Sequence, residues 1–173
     1  MNRRKRLDFI AWLATVDPKR LYFFDESGFY SERPRAYGRS PKGQPVEGTK
    51  RNVAHKLITL IALMNYQRVV AHATMLQHKG HAEHTPLTAA NLAALFEKQL
   101  LPALPDDAIL ILDNASFHGK EFQALLEKHN VKSIRLPPYS PDFNPIELLF
   151  GWLKEARENL IFDRDDSCAS LRA

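Results

Sequence analysis

Three acidic residues stand where the chain changes character. Asp25 follows the aromatic run Leu21-Tyr22-Phe23-Phe24, and Asp113 follows the apolar run Ala108-Ile109-Leu110-Ile111-Leu112. Glu147 lies three residues past Asn144, where a proline-rich stretch gives way to aliphatic residues. Gathered in one place, they would offer carboxylate oxygens only, hard donors that suit Mg²⁺ or Mn²⁺. Gathered anions repel one another and raise at least one pKa unless a cation binds. Two such ions, about 3.5–4 Å apart, can stabilise the attacking and leaving oxygens of a phosphoryl transfer. Each acid also has a purely structural reading. Asp25 before Ser27-Gly28 fits a turn, Asp113-Asn114 fits an Asx turn, and Asn144-x-x-Glu147 fits a capping box.

The segments around these acids set where they can lie. Leu7, Ile10, Ala11, Leu13 and Ala14 recur at helical spacing, and Asp17-Pro18 closes that helix. Leu21 to Phe24 reads as a buried strand stopped by a turn at Asp25-Glu26-Ser27-Gly28. Leu57–Met64 and Val69–Thr74 read as two strands joined by a tight turn at Asn65-Tyr66-Gln67. Thr88 to Leu101 reads as a helix closed by Pro102, and 119–130 as another with Phe122, Leu125 and Leu126 inward. The run 108–112 is apolar throughout, which predicts a strand covered on both faces. After a strand at 131–136, four prolines between positions 137 and 145 stiffen a loop that feeds the last helix, with Asn144 as N-cap and Pro145 as first helical residue. The order of elements predicts an α/β fold with a mixed central sheet flanked by helices.

The 173 residues suffice for one domain with a sizeable core. No apolar run approaches the ~20 residues of a membrane span, the basic start lacks a cleavage site, and Cys168 is the only cysteine. These features predict a cytoplasmic protein without disulfides or a thiolate metal cage. His72, His78, His81 and His84, lacking cysteines and mostly in a polar loop, read as solvated residues rather than zinc ligands. The net charge of +4 is concentrated in one place. Arg33, Arg35, Arg39, Lys42, Lys50, Arg51 and Lys56 face only Glu32 and Glu47 in sequence, so this segment carries about +5 and the rest about −1. A local positive patch of this kind suits a polyanion.

Three stretches carry a resemblance. Tyr22-Phe23-Phe24-Asp25-Glu26-Ser27-Gly28-Phe29, Leu112-Asp113-Asn114-Ala115-Ser116-Phe117-His118 and the run from Leu136 through Pro141-Asp142-Phe143-Asn144-Pro145-Ile146-Glu147 resemble the signature blocks of DDE transposases of the mariner-like superfamily, in its bacterial insertion-sequence branch. The similarity covers roughly residues 18 to 155, and the 33 residues between Asp113 and Glu147 fit the family's spacing. The resemblance implies a ribonuclease-H-like fold, with Asp25, Asp113 and Glu147 as a catalytic triad holding two Mg²⁺ ions, Mn²⁺ being a possible substitute. Asp25 is favoured over Glu26 by its place in the block, and neighbours on a strand face opposite ways. It further implies DNA cleavage at transposon ends and strand transfer into target DNA, with Asn114 and His118 as possible supporting residues. Arg33, Arg35, Arg39, Lys42, Lys50 and Arg51 are the expected DNA contacts. Pro41 stands where the family often has tryptophan, which leaves no stacking residue there.

The expected organisation is an N-terminal helix or linker at 1–17, a catalytic domain at 18–160 and a polar C-terminal tail at 161–173. Related transposases carry a helix-turn-helix region ahead of the first block. The chain is therefore expected to be a second reading frame, a truncated copy or a cropped domain, located at the nucleoid. A second copy of the chain and a separate helix-turn-helix polypeptide are possible partners beside DNA. Two other readings remain open at this level: a non-catalytic DNA-binding or dimerising remnant, and a different ribonuclease-H-like nuclease.

Overall fold

The computed structural model describes residues 2–30, 41–44, 57–77 and 86–169, the last twelve by backbone only. Helix α1 (Asn2–Leu13) leads into strand β1 (Leu21–Tyr30), followed by β2 (Leu57–Met64) and β3 (Val69–Gln77). Helix α2 (Ala89–Leu95) continues as a π turn over Phe96–Leu100, and β4 (Ile109–Leu112), α3 (Lys120–Lys128), β5 (Lys132–Arg135) and α4 (Pro145–Ala169) follow. The five strands form one sheet in the order β3-β2-β1-β4-β5. β1, β2 and β3 pair antiparallel, whereas β4 and β5 run parallel to β1. The mixed α/β sheet expected from the sequence is therefore present.

Alternation along the strands divides the core in two. Tyr22, Phe24, Leu110 and Leu112 pack with Leu92, Phe96, Phe122 and Leu126 of α2 and α3. Leu21, Phe23 and Ile111 pack on the other face with Phe9 of α1 and Ile146 and Phe150 of α4. The apolar run of β4 is thus covered on both sides. Thr88 caps α2 by accepting the Asn91 N–H at 3.2 Å. Asn65 Oδ1 accepts the N–H groups of Gln67 and Arg68, each at 2.9 Å, which fixes the β2–β3 turn. Among the described residues, no helix is long and apolar enough to cross a membrane.

Two expectations need correction. β1 does not stop at Asp25. It runs to Tyr30 because Glu26, Ser27 and Gly28 pair with Ile61, Leu60 and Thr59 of β2, and pairing overrides local turn composition. The segment expected as a helix or linker forms α1, with Phe9 buried and Trp12, Leu13 and Val16 packed beside it, whereas Leu7 and Ile10 of its helical stripe are exposed. The expected polar tail at 161–173 is helical as far as Ala169, as a direct continuation of α4.

Candidate active site

The register of the parallel strands brings two of the acids together. The last paired residues of β1 and β4 are Phe24 and Leu112. Asp25 and Asp113 are the next residues on each strand, so they stand level on strands about 4.8 Å apart. Beyond this point β1 has no β4 neighbour, and the sheet opens. The third acid enters from α4, whose Ile146 and Phe150 are buried against the face that holds Phe23 and Ile111. Asp113, Asn114, Tyr139, Ser140, Asn144 and Glu147 line a common cleft of about 330 Å³.

The three carboxylates differ in surroundings. Asp25 is only 6% exposed and is held by two donors. Its Oδ1 accepts the Glu26 N–H at 2.8 Å, and its Oδ2 accepts Asn144 Nδ2–H at 3.0 Å. Burial pushes its pKa up to about 7, against the backbone bond of Glu26, with Asp113, Glu26 and Glu147 adding repulsion. That repulsion is electrostatic evidence that the acids share one neighbourhood. Asp113 is half-buried, and its Oδ1 accepts the Ala115 N–H at 2.9 Å. Burial alone would raise its pKa, but His118, the Ala115 N–H and Arg135 outweigh burial and hold it below the usual carboxylate range. Glu147 is exposed, and among the described residues its carboxylate has no hydrogen-bond partner.

The capping box does not form. Asn144 turns its amide to Asp25, its Oδ1 is buried without a partner, and only the backbone bond from Glu147 N–H to Asn144 O (3.1 Å) closes the first turn. The aliphatic run after Glu147 does not enclose it, since Leu148 beside it is 78% exposed and Trp152 is 65% exposed. The loop ahead of Asn144 is braced instead by α1. Arg6 donates to both Asp142 oxygens (2.9 and 2.6 Å) and to Ser140 Oγ (2.8 Å), and its guanidinium lies 4.4 Å from the Phe143 ring centroid. Tyr139, in the same loop, adopts the left-handed region at φ 55°.

Of the remaining sequence candidates, Asn114 donates through Nδ2 to Leu136 O at 2.8 Å and ties the ends of β4 and β5 together. His118 is fully buried, with Nδ1 2.8 Å from Asp113 Oδ1 and Nε2 3.2 Å from Glu26 Oε2. Burial would lower its pKa, yet the two carboxylates outweigh it and raise the pKa to about 9. Lys42 is exposed on a turn closed by Gln44 N–H to Pro41 O, with Gly43 supplying the positive φ. Arg33, Arg35, Arg39, Lys50 and Arg51 lie outside the described residues, as do His78, His81 and His84; His72 is exposed on β3. Sequence reasoning missed Asn144 as a partner of Asp25 and Glu26 as a partner of His118. Both contacts span about a hundred residues, and no local pattern signals them.

Among the described residues, no three His, Cys, Asp or Glu side chains are grouped so as to hold one metal ion. The donor set suits a hard divalent cation such as Mg²⁺: the carboxylates offer only oxygens, and burial, with a smaller repulsion from Asp113, Glu26 and Glu147, raises the pKa of Asp25.

A family model described as DDE superfamily endonuclease matches residues 20–168. Among solved structures, the chain is similar to a pre-cleavage Mos1 transpososome at 23% identity and TM-score 0.68, over 90% of this chain and 48% of that one. It is similar to the Mos1 mariner paired end complex with Mn at 20% identity and TM-score 0.67, over 98% and 54%. The catalytic domain of Mos1 mariner transposase matches at 18% identity and TM-score 0.60, over 90% and 68%. The shared architecture is the ribonuclease-H-like fold. The chain spans about half the length of the first of these structures. Comparison with curated protein sequences gives no match.

Proposed function

The chain belongs to the DDE superfamily endonucleases, and on that premise we propose that it is the catalytic domain of a transposase, cutting DNA at transposon ends and joining the freed 3′-hydroxyl to target DNA. The observation that carries the reading is the Phe24–Leu112 register, which sets Asp25 and Asp113 level at the opening of the sheet. Asp25, Asp113 and Glu147 are the proposed ligands of two Mg²⁺ ions, with Mn²⁺ as an alternative. Mos1 structures with Mg and with Mn, and one with the left transposon end, support this choice of metal and of polymer. When bound, divalent ions supply charge neutralisation at the phosphate and activation of the attacking oxygen.

The chain's own residues supply position. Asn144 orients Asp25 from the first turn of α4, and the Ala115 N–H fixes one oxygen of Asp113 while leaving the other toward the cleft. Glu147 keeps both oxygens available. No side chain acts as a covalent nucleophile, because in-line transfer at phosphorus needs alignment and charge more than covalent help. Arg33, Arg35, Arg39, Lys42, Lys50 and Arg51 are the proposed phosphate contacts, which predicts binding that weakens steeply with salt. The proposed partners are transposon-end and target DNA in the nucleoid, a second copy of the chain, and a separate helix-turn-helix polypeptide.

The test is cleavage and joining of labelled DNA in Mg²⁺ by the parent and by Asp113→Asn and Glu147→Gln. Both variants should lose strand cleavage. Glu147→Gln should keep its stability within about 0.5 kcal/mol, because the side chain is exposed and makes no bond. Cleavage retained by either variant removes that residue from the catalytic set. Salt-sensitive binding without strand breaks would mark a non-catalytic remnant, and hydrolysis without joined products would mark a different nuclease.

A further inference from the structure

His118 is a fully buried imidazole with a carboxylate at each ring nitrogen. It sits in the short turn Ser116–His118 after β4, packed between Phe24 (5.4 Å between centroids) and Phe122 (5.5 Å). Those two rings confine the plane of the imidazole and leave its edges to the acids. Glu26 reaches Nε2 from the face of β1 opposite Asp25 and is itself nearly buried, with a side chain 10% exposed. On the other edge, Nδ1 lies 2.8 Å from Asp113 Oδ1, although no aligned hydrogen bond runs from Nδ1. The same Asp113 oxygen accepts the Ala115 N–H, and Arg135 braces the turn by donating to the carbonyls of Asp113 and His118.

We propose that Glu26 is a positioning residue, acting through the His118 ring to hold the Asp113 carboxylate with one oxygen turned to the protein and the other to the metal site. The proposal rests on the reading of Asp113 as a metal ligand. Its physical basis is that a carboxylate on a single-bond pivot has two equivalent oxygens and rotates freely unless one is tethered. The Ala115 N–H provides one tether, and the ring, at ion-pair distance from the same oxygen, provides a second that is fixed only if its far edge is also held. Glu26 is the one described residue that holds that far edge. A buried ring held at one nitrogen alone could tilt between Phe24 and Phe122, and Asp113 would follow it. Outer partners of this kind are commonly worth 10–100-fold in metal affinity.

The test is Mn²⁺ affinity of the intact chain, read by the electron paramagnetic resonance signal of the free ion, together with the melting temperature. Parent, Asp113→Asn, Glu26→Gln, His118→Asn and the Glu26→Gln/His118→Asn double variant are compared. Asparagine places an amide near the position of Nδ1 and cannot reach Glu26, so His118→Asn cuts the link while keeping a donor for Asp113. Glu26→Gln should bind Mn²⁺ about ten-fold more weakly, and it should have no further effect in the His118→Asn background. Leu100→Ala, fully buried in the same core but not against the His118 ring, serves as the packing control, lowering the melting temperature with Mn²⁺ affinity unchanged. Parent-like Mn²⁺ affinity in Glu26→Gln would overturn the proposal. So would a Glu26→Gln effect that persists beside His118→Asn, since Glu26 would then act as a distant charge and not through the ring. If Asp113→Asn itself binds Mn²⁺ as the parent does, the metal-ligand reading falls first and takes this inference with it.

Discussion

Replacing Asp25 by asparagine should make the metal-free protein more stable at pH 8. Asp25 is buried beside Asp113 and Glu147, and its pKa rises from 3.8 to about 7. A carboxyl group whose folded pKa lies above its unfolded value stabilises the fold only while it stays protonated. Its contribution is full below about pH 4, falls as pH rises, and is lost once the pH passes the folded value of about 7. About three pKa units correspond to a ceiling of about 4 kcal/mol at pH 8, and less than half of that at pH 5. Asparagine keeps the shape and removes the charge. Its amide can also be satisfied in place, because the buried Asn144 Oδ1 lacks a partner and accepts a proton once the Asn144 amide flips.

Urea and thermal unfolding of parent and Asp25→Asn from pH 5 to pH 9, without divalent ions, read this directly. Each 1 kcal/mol moves the melting temperature by roughly 2–4 °C in a chain of this size, so even a third of the ceiling gives several degrees. The gap should narrow steadily toward pH 5. Added Mg²⁺ should then stabilise the parent by about 2.7 kcal/mol at a hundred times its dissociation constant, raising its melting temperature, and leave Asp25→Asn nearly unmoved. The reasoning is refuted if Asp25→Asn is no more stable than the parent at pH 8, or if the gap is the same at both ends of the pH range. Either result would mean that the ionised carboxylate carries no strain in the fold.

Two further perturbations separate the core from the loop. Phe24 is fully buried and meets Phe96, Phe122 and His118 at ring distances of 5.0 to 5.4 Å; Phe24→Ala should cost about 3–5 kcal/mol in urea unfolding, and a loss below 1 kcal/mol would show that the site-facing core collapses without a cavity. Arg6→Ala should speed amide hydrogen exchange in residues 139–144 with little change in β1 or β4, since Arg6 braces Ser140, Asp142 and Phe143. Arg6 holds the Asp142 carboxyl below its usual range, so this brace is present at neutral pH and is lost as Asp142 is protonated on acidification. Unchanged exchange in 139–144 would assign the order of the loop to its prolines alone.

Local chemistry made much of this arrangement legible before any coordinates. The apolar run of β4, the Asn65 turn and the starts of α2 and α4 depend on residues close in sequence, and each lies near its expected place. What escaped depends on partners far along the chain. Nothing within Asp25-Glu26-Ser27-Gly28 signals a strand, because its extended form is imposed by β2 across Ile61, Leu60 and Thr59. The covered face of α1 is equally undetermined by local sequence. Leu7 and Ile10 fit a helical stripe as well as Phe9 and Leu13 do, and only the sheet beneath decides which stripe is covered. Asn144 and Glu26 fit a cap and an ordinary turn residue until Asp25 and His118 arrive from elsewhere.

Asn144 also settles what the stiff entry into α4 accomplishes. A capping box would have consumed the Glu147 carboxylate and the Asn144 side chain together, leaving Asp25 buried with one donor and a neighbouring charge unanswered. Asn144 instead serves Asp25, and the turn is closed by backbone alone. A backbone-closed turn holds the Cα of Glu147 in place without engaging its oxygens. On the proposed reading of Glu147 as a metal ligand, the prolines and the Arg6 brace have a physical purpose. They fix the carrier of a carboxylate that has no hydrogen-bond partner among the described residues, which a helix cap would not need but a ligand held to within about half an ångström would.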